Sequence, residues 1–328
     1  MRPSARRDRL VPYGFVAPLL AIFAAFYLWP AVNTIGSSFF EWGLLGRPWR
    51  LTTPSTWDWV GLGNYSETLS DSDFWNAAFN TAIWLVVFPT LVTGIALVVS
   101  IAIWFAASGR LAVVFRTVFI LPMTISLAAV GVIWGLVYNP DPEFGVLNAF
   151  IRLLHADVTV DVGPLHLRTG RWLSDLGSLD LGFTELRLTN VSVIVPAVWG
   201  FVGFGVVTIT AGLTAVSQDL IDAARMDGAR GHQIVRHVLV PALRGPLVIV
   251  AVVSVIFALR TFDIVYVLTG GGPAQDTQVL ALLLWQKAFV FLDSPQGGTA
   301  TAIAVLLSAI LVFGAYPYLR GMMKGRPG

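Results

Sequence analysis

Six long apolar runs are the feature that most constrains this chain. Each is long enough to cross the hydrocarbon core of a bilayer, which is about 30 Å thick and needs about 20 helical residues. Within lipid a backbone must satisfy its own polar groups, so a run of this kind folds as a helix. The sequence therefore predicts an all-α integral membrane protein with six transmembrane helices. The predicted spans are Val11–Val32, Ala78–Phe105, Leu111–Tyr138, Val191–Leu213, Leu247–Leu268 and Thr299–Leu319.

The first run could also be read as a secretory signal peptide, because basic residues precede it. However, it is longer than the usual apolar region of a signal peptide, it contains Trp29 and Pro30, and it lacks a small-residue cleavage site. We therefore predict that it is an uncleaved first span.

Composition excludes several classes of protein. Hydrophobic residues make up 56% of the chain and charged residues 12%, whereas a soluble domain carries about 25% charged residues. The chain has no cysteine, and its four histidines are scattered. It contains neither a phosphate-binding G-x-x-x-x-G-K-S/T loop nor an H-E-x-x-H zinc motif. We expect no catalytic residues, no metal site, no cofactor in this chain and no nucleic-acid partner.

Basic residues are concentrated on one side of the predicted spans. Thirteen of the 21 lysines and arginines lie in the N-terminal segment, the turn 106–116, the loop 214–246 and the C-terminal segment. The loops 36–77 and 139–189 lie on the other side and are acidic. Because basic loops stay in the cytoplasm, we predict a multi-pass protein of the cytoplasmic (inner) membrane with both termini in the cytoplasm.

A strongly polar stretch from Ser217 to Pro246 separates the fourth and fifth apolar runs. Ser217 is a good helix N-cap, and Gly228 can end that helix in a left-handed conformation. A second short helix is predicted from Gly231 to Val240, where Pro241 stops it. Two short helices that meet at a glycine form a compact knuckle, which can transmit force to a protein outside the membrane.

This stretch resembles the EAA loop of ABC importer permeases. Asp222-Ala223-Ala224 matches the start of that motif, with aspartate for the usual glutamate, and Asp227-Gly228-Ala229 and Val240-Pro241 follow in order. We name residues 217–241 the coupling loop, since the resemblance implies that they dock on an ATPase. The implied coupling residues are Asp222, Ala223, Ala224, Asp227, Gly228, Ala229 and Pro241.

Further motifs resemble the sugar-importing, maltose-type branch of these permeases. They lie around the second, third and fifth spans, and the whole resemblance runs from about residue 59 to residue 313. Trp172-Leu173 also matches the family pattern before span four, so residues 155–171 are predicted to be an insertion. The other matching segments are Val60–Tyr65, Asp73–Asn76, Asn80-Thr81, Arg116-Thr117, Leu121-Pro122, Trp134, Phe144–Asn148 and Phe262–Pro273.

The resemblance implies a transmembrane subunit of a type I (MetI-like), binding-protein-dependent ABC importer for a sugar, in the inner membrane of a bacterium or archaeon. Residues 1–77 would form the first span and an outer loop, and residues 78–320 the permease domain. The implied partners are a second homologous permease, two ATPase subunits, an extracytoplasmic solute-binding protein, the sugar and membrane lipid. ATP and Mg would bind the ATPase subunits, so this chain itself is expected not to be an enzyme.

Two alternatives stay open. Within the family, glycerol phosphate or another small polar solute could replace the sugar. A secondary transporter belongs to a different class, and such proteins often carry ionisable residues mid-membrane. Spans one to four hold almost no buried charge, and that class gives the coupling loop no role. A membrane-embedded enzyme is disfavoured by the missing catalytic residues.

Arg260 and Asp263 lie three residues apart near the outer half of span five, which predicts one shared helix face. Charges there are costly unless they pair or face water, so an ion pair, a contact with the second permease and a pore-lining role are all open. In the pore-lining interpretation, a neutral glycoside is favoured if Asp263 neutralises Arg260, and a phosphorylated solute if Arg260 is free. The candidate pathway residues are Trp199, Phe204, Thr208, Arg260, Asp263 and Tyr266.

The predicted insertion has an alternating pattern. Residues 157–162 and 165–168 each alternate apolar and polar side chains on either side of Gly163-Pro164. This pattern predicts a small hairpin, with an irregular loop as the alternative. We expect the insertion to contact the binding protein or to cap the pore mouth.

Overall fold

The computed structural model describes residues 4–43, 58–106, 110–154, 159–162, 165–180, 185–290 and 296–324. Most of this described chain is helical, and it begins with α1 (Ser4–Phe23), a π-helical segment (Ala24–Leu28) and α2 (Trp29–Ser37). Three helical stretches are long and apolar enough to cross a membrane without a sharp bend. They are Phe15–Ser37, Ser72–Phe105 and Thr189–Thr214, which correspond to the predicted spans one, two and four.

The predicted third span is a broken helix. The first part, α5 (Arg110–Ile120), runs into a 3₁₀ turn (Leu121–Thr124), and the second part, α6 (Leu127–Val137), leaves at an angle of 103°. Pro122 lies in the turn, as expected for a residue that removes a helical hydrogen bond. The Ser126 hydroxyl then caps α6 by accepting the Ala129 N–H at 3.3 Å.

The fifth predicted span is also interrupted. It consists of α12 (Arg244–Leu259) and α13 (Asp263–Leu268), so the prediction of one continuous helix over Leu247–Leu268 is wrong. The sixth predicted span lies within α15 (Gly297–Lys324). The described residues hold three candidate spans, or up to five when each bent helix pair is counted as one span, and the total of six stays a prediction.

The first compact unit consists of Met1–Ser72 and Leu283–Tyr316. The Asn64 side-chain amide donates to the backbone carbonyls of Ser38 and Phe40, each at 2.9 Å. Two short strands beside it pair antiparallel. The elements of these parts of the chain are β1 (Phe40–Glu41), β2 (Asp58–Trp59), α3 (Gly63–Ser70), α14 (Leu280–Trp285) and a π-helical segment (Gln286–Val290).

The second compact unit consists of Asp73–Leu282 and Pro317–Gly328. Two long helices, α4 (Ser72–Ala106) and α8 (Thr189–Thr214), supply much of its buried interior. Every fourth residue of α4 from 84 to 96 is buried, which is the spacing of one helix face. Gly205 lets the two helices approach, because a Cβ on it would lie 2.6 Å from the Ala96 Cβ. Small residues of this kind permit close helix packing in membranes.

A four-stranded antiparallel sheet follows α7 (Val146–Leu153) in the chain. Val160 pairs with Leu167, so the predicted hairpin is confirmed, although its Gly163-Pro164 turn lies outside the described residues. Two further strands, which the sequence did not predict, extend the sheet beyond residue 171. In order across the sheet, the strands are β3 (Thr159–Val162), β4 (Leu165–Arg168), β5 (Gly177–Asp180) and β6 (Glu185–Arg187).

Asn148 anchors the base of this sheet. Its side-chain amide donates to the carbonyls of Asn139 at 2.8 Å and Gly170 at 3.1 Å, and its Oδ1 accepts the Trp172 indole N–H at 2.8 Å. The Trp172 ring also stacks on Tyr138, with the centroids 5.9 Å apart. The sheet is therefore tied to the end of α6 by polar and aromatic contacts.

Candidate functional site

The coupling loop begins with α9 (Gln218–Met226). Ser217 occupies the N-cap position in an extended conformation, as predicted, but its side chain makes no capping hydrogen bond. Asp219 lies in the first turn, where the helix dipole favours a negative charge. Further along, Asp222 pairs with Arg225, with an N–O distance of 3.0 Å, and both side chains are exposed.

Gly228 ends α9 in the left-handed conformation, with a φ of +78°. Its N–H donates to the Arg225 carbonyl at 3.0 Å, and the Ala229 N–H donates to the Ala224 carbonyl at 2.9 Å. These two bonds form the Schellman motif, which satisfies the last carbonyls of a helix and favours glycine at this position. A Cβ on Gly228 would meet nothing within 4 Å, so the chain itself leaves space around this residue.

The second half of the loop consists of α10 (Gly231–Ile234), a π-helical segment (Val235–Leu239) and α11 (Val240–Ala242). The prediction that Pro241 stops this helix is wrong, because the helix continues to Ala242. The Val240 N–H bonds to the Val235 carbonyl five residues back, and this wider turn makes room for the proline ring. The helix then bends by 68° before α12.

The inner side of the loop is apolar and packed. Ile221, Ile234 and Leu239 are buried. At the base of the loop, a Cβ on Gly212 would lie 2.5 Å from the Pro246 Cγ. The glycine therefore permits the start of α12 to lie directly against the end of α8, and this contact holds the loop to the spans.

The opposite side of α9 is apolar and exposed. Met226 is 88% exposed and Leu220 is 58% exposed, and the exposed Ala223 lies three residues from each. Residues at this spacing are neighbours on a helix surface. Exposed apolar side chains beside charges of both signs are typical of a docking surface. The predicted coupling residues from 222 to 229 therefore share one knuckle, whereas Pro241 lies in the helix beyond it.

A pocket of about 290 Å³ lies where span five is interrupted. Aromatic rings from three parts of the chain line it: Phe201 of α8, Phe257 of α12 and Phe262 of the interruption. The rings of Phe201 and Phe257 are 4.6 Å apart at their centroids. Arg260 and Asp263 also line the pocket, which therefore combines apolar faces with two charged groups.

The interruption lies around Thr261, between the end of α12 and the start of α13. The Thr261 hydroxyl donates to the Phe257 carbonyl at 3.2 Å. In a continuous α-helix this carbonyl would accept the Thr261 backbone N–H. That N–H bonds instead to the Ala258 carbonyl at 3.3 Å, and Phe262 then leaves the helical conformation, with a φ of −139°. The prediction that residues 260 and 263 share one helix face is therefore wrong, although both line the same pocket.

Neither charged residue of the pocket has an ion-pair partner within the described chain. Both Arg260 and Asp263 are exposed. A guanidinium supplies five N–H donors, and a carboxylate supplies two acceptor oxygens. Together with the aromatic rings, these groups can bind a polar solute through hydrogen bonds and ring contacts.

The lining of this pocket does not include the other four predicted pathway residues, Trp199, Phe204, Thr208 and Tyr266. Two of them contact it indirectly: Phe204 lies 5.5 Å from the Phe201 ring, and Tyr266 stacks on Phe262 at 5.4 Å. Sequence analysis missed Phe201 and Phe257. The available signal was helical spacing, because Phe257 precedes Arg260 by three residues.

The family follows from comparison with known proteins. Residues 98–324, most of the chain, match the family described as "Binding-protein-dependent transport system inner membrane component". The chain belongs to this family. The coupling loop and the pocket are therefore parts of a multi-pass membrane permease, and the predicted identification as an ABC importer permease is confirmed.

Two relatives indicate the range of solutes that similar permeases serve. The permease is 29% identical over 308 residues to the alpha-glucoside transport system permease protein AglF of Rhizobium meliloti, with 92% of this chain and 79% of that protein covered. It is also 29% identical over 306 residues to the sn-glycerol-3-phosphate transport system permease protein UgpA of Brucella abortus biovar 1, with 93% and 92% covered.

The fold of the permease is similar to that of solved ABC importers. A chain of a bacterial ABC transporter involved in the import of the acidic polysaccharide alginate superimposes with a TM-score of 0.68, at 18% identity over 97% of both chains. A second structure shows the alginate transporter in complex with an alginate pentasaccharide-bound periplasmic protein, and its TM-score is 0.67 at 18% identity over 95% of both chains. The predicted importer-permease fold is thereby confirmed.

Proposed function

We propose that this permease forms half of the translocation pore of an ABC importer for a di- or oligosaccharide or a glycoside. The observation that carries the proposal is the exposed knuckle at Gly228 in a member of a binding-protein-dependent transport family. Similarity to an alpha-glucoside permease supports the solute class. The pocket beside Arg260 suits a hydroxyl-rich ring, because it combines aromatic faces with planar polar groups.

The partners that this role requires follow from the family. A second homologous permease completes the pore, and two ATPase subunits bind ATP and Mg and dock on the coupling loops. An extracytoplasmic binding protein delivers the solute, an expectation that the alginate transporter's complex with a periplasmic protein supports. Closure of the ATPases around ATP shifts the population of the pore from inward-facing to outward-facing, since ATP binds the two states with different affinity.

A second candidate solute is glycerol phosphate. Arg260 has no ion-pair partner within the described residues, and one relative is an sn-glycerol-3-phosphate permease. A free guanidinium binds phosphate through two parallel hydrogen bonds. Asp263 in the same pocket opposes an anion, so the neutral glycoside remains the main proposal.

The direct test of the solute class is ATP hydrolysis by the complex that co-purifies with the tagged permease. The complex is reconstituted with its binding protein and offered a panel of glycosides and glycerol phosphate. We expect a glycoside to raise the hydrolysis rate. Stimulation by glycerol phosphate alone would replace the sugar with the second candidate.

The topology is tested with reporter fusions. The distribution of lysine and arginine places both termini and the coupling loop in the cytoplasm. A reporter fused near Asp161 should therefore report the outer side of the inner membrane, and one fused near Gly231 the cytoplasm. A cytoplasmic signal from position 161 would contradict the six-span arrangement.

We propose that the insertion 155–171, which carries strands β3 and β4 of the four-stranded sheet, contacts the binding protein or caps the pore mouth. The hairpin 159–168 can be replaced with a short Gly-Ser linker that leaves the Gly170 and Trp172 contacts to Asn148 in place. We expect normal assembly with the partners and about tenfold weaker uptake, the effect of losing about 1.4 kcal/mol of docking energy. Uptake equal to that of the unchanged permease would leave the insertion without this role.

A further inference from the structure

Two buried asparagines hold the loop that follows α13. Asn80 of α4 donates to the Gln278 carbonyl at 3.0 Å. Asn190 of α8 donates to the Asp276 carbonyl at 2.8 Å and to the Asn80 Oδ1 at 3.1 Å. We name Asn80 and Asn190 the amide clamp, because together they join two long helices to one loop.

Both clamp residues are almost completely buried, with 3% of Asn80 and 1% of Asn190 exposed. A buried amide is unfavourable unless it is hydrogen-bonded, and a loop that moved away would remove the Gln278 and Asp276 carbonyls that these two amides bind. A neighbouring bond reinforces the contact, because the Leu280 N–H donates to the Thr81 hydroxyl at 3.0 Å. The loop is therefore fixed to α4 and α8 by bonds that solvent does not replace.

The clamped loop has an unfavourable backbone. Ala274 and Gln275 have φ angles of +44° and +65°, a region that residues with a Cβ seldom occupy. Such a conformation persists only where surrounding contacts determine it. The Gln275 carbonyl accepts the Asn76 side-chain N–H at 2.8 Å and lies 3.5 Å from the Asn80 amide nitrogen. These amides thus help to determine the path of the loop.

The clamp acts on the pocket through α13. The loop continues directly from α13, since the Gly270 N–H bonds to the Val265 carbonyl at 3.0 Å. Because α12 ends at Leu259, α12 alone does not fix where α13 lies. At its other end α13 carries Asp263 of the pocket, and α8 carries both Asn190 and the pocket residue Phe201.

We propose that Asn80 and Asn190 are positioning residues for the transported solute. By joining the loop to α4 and α8, they set the place of Asp263 relative to Phe201 and so the shape of the pocket. This inference rests on the proposed role of the pocket as the solute pathway.

A double-mutant cycle tests the proposal, with uptake measured per assembled complex in proteoliposomes. Asn80→Ala is combined with Arg260→Gln, a variant that perturbs the pocket directly. In the unchanged background we expect Asn80→Ala to lower uptake about tenfold. In the Arg260→Gln background the same change should lower uptake less than about threefold, because residues that act through one site are not additive. If the role of Asn80 were purely structural, Asn80→Ala would lower uptake by the same factor with Arg260 unchanged as with Arg260→Gln.

The control is Ser100→Ala, which removes a buried hydrogen bond between α4 and the Val206 carbonyl away from the clamp. Its effect should be the same in both backgrounds. If Asn80→Ala does not assemble, Asn76→Ala enters the cycle, since it loses the bond from a partly exposed side chain to the Gln275 carbonyl. If the asparagine variant lowers uptake by the same factor in both backgrounds, the positioning role is overturned, whereas the assignment of the pocket is not affected. Unchanged uptake in Arg260→Gln and Arg260→Ala overturns the pocket assignment and the positioning role with it.

Discussion

Gly228→Asp is expected to abolish solute uptake while the permease still folds and inserts. Gly228 has a φ of +78°, and a residue with a Cβ pays about 1–2 kcal/mol in that conformation. A folded protein is stable by about 5–15 kcal/mol, so this strain does not unfold the permease. Because an added Cβ meets nothing within 4 Å in the chain itself, the aspartate side chain would project away from the chain, into the space where we propose that the ATPase docks.

The size of the effect depends on the docking surface. Central residues of a protein interface contribute about 2 kcal/mol or more when they are altered, and each 1.4 kcal/mol weakens binding about tenfold. Gly228 lies at the end of the helix whose exposed face carries Leu220 and Met226. A charged side chain there should release the ATPase or uncouple its hydrolysis from transport.

The measurement is co-purification of the ATPase together with solute uptake in the same variant. Gly228→Ala is one control, because it introduces the same backbone strain but adds only a single methyl group, and it should keep much of the uptake. Gly245→Asp is the second control, since a Cβ there also meets nothing within 4 Å and its backbone is not left-handed. Normal uptake in Gly228→Asp would remove the coupling role from this loop.

Asp222→Lys should act in the same direction but more weakly. The exposed pair with Arg225 is replaced by two positive charges one turn apart, and repulsion of this kind costs about 0.2–0.5 kcal/mol in a helix. The rest of the expected loss of ATPase binding comes from reversing one charge on the docking surface. We expect partial uptake and partial co-purification of the ATPase in this variant.

Arg260→Ala is expected to lower uptake at least tenfold without changing assembly, which is the effect of about 1.4 kcal/mol or more. The side chain lines the pocket and has no ion-pair partner within the described residues, so its loss removes donors from the solute rather than from the fold. Arg152→Ala is the matched control, because Arg152 is also exposed and lies in the last turn of α7, away from the pocket.

Arg260→Gln separates the two candidate solutes. The glutamine amide still donates a hydrogen bond but carries no charge. For a neutral glycoside a charge-assisted bond from the guanidinium is replaced by a neutral bond from the amide, a loss of about 1 kcal/mol, or about fivefold in uptake. For a phosphorylated solute the loss is a charged bond of about 3 kcal/mol, or more than a hundredfold. Arg260→Ala that spares uptake of every candidate would remove this residue from the pathway.

The coupling loop could be predicted from sequence because its signals are local. Ser217 marks the start of α9, although its side chain makes no capping bond, and Gly228 ends the helix in a left-handed conformation within a few residues. The prediction that Pro241 ends the second helix failed. The π turn before this proline depends on the hydrogen bond from the Val240 N–H to the Val235 carbonyl, which no single residue specifies. The structure of the first half of the coupling loop therefore follows from residues close in sequence, whereas that of the second half does not.

The pocket and the clamp could not be derived in the same way. At the interruption the Thr261 hydroxyl bonds to a helix carbonyl, but Thr81 and Thr208 make the same kind of bond inside continuous helices, so this bond does not mark a break in the sequence. Asn80 and Asn190 are 110 residues apart in sequence, and only the packing of α4 against α8 brings them together. The signals available were the Asn80-Thr81 match to the family and the position of Asn190 directly before the predicted fourth span, but neither signal identifies the partner that a buried amide needs.

The most direct test of the account is solute uptake by proteoliposomes that contain the complex purified through the tagged permease. Binding protein and a labelled alpha-glucoside are supplied on one side and ATP on the other, with and without an imposed ion gradient. We expect uptake that requires both ATP and the binding protein and that is lost in Gly228→Asp. Uptake that proceeds without ATP and follows a proton or sodium gradient would contradict this expectation.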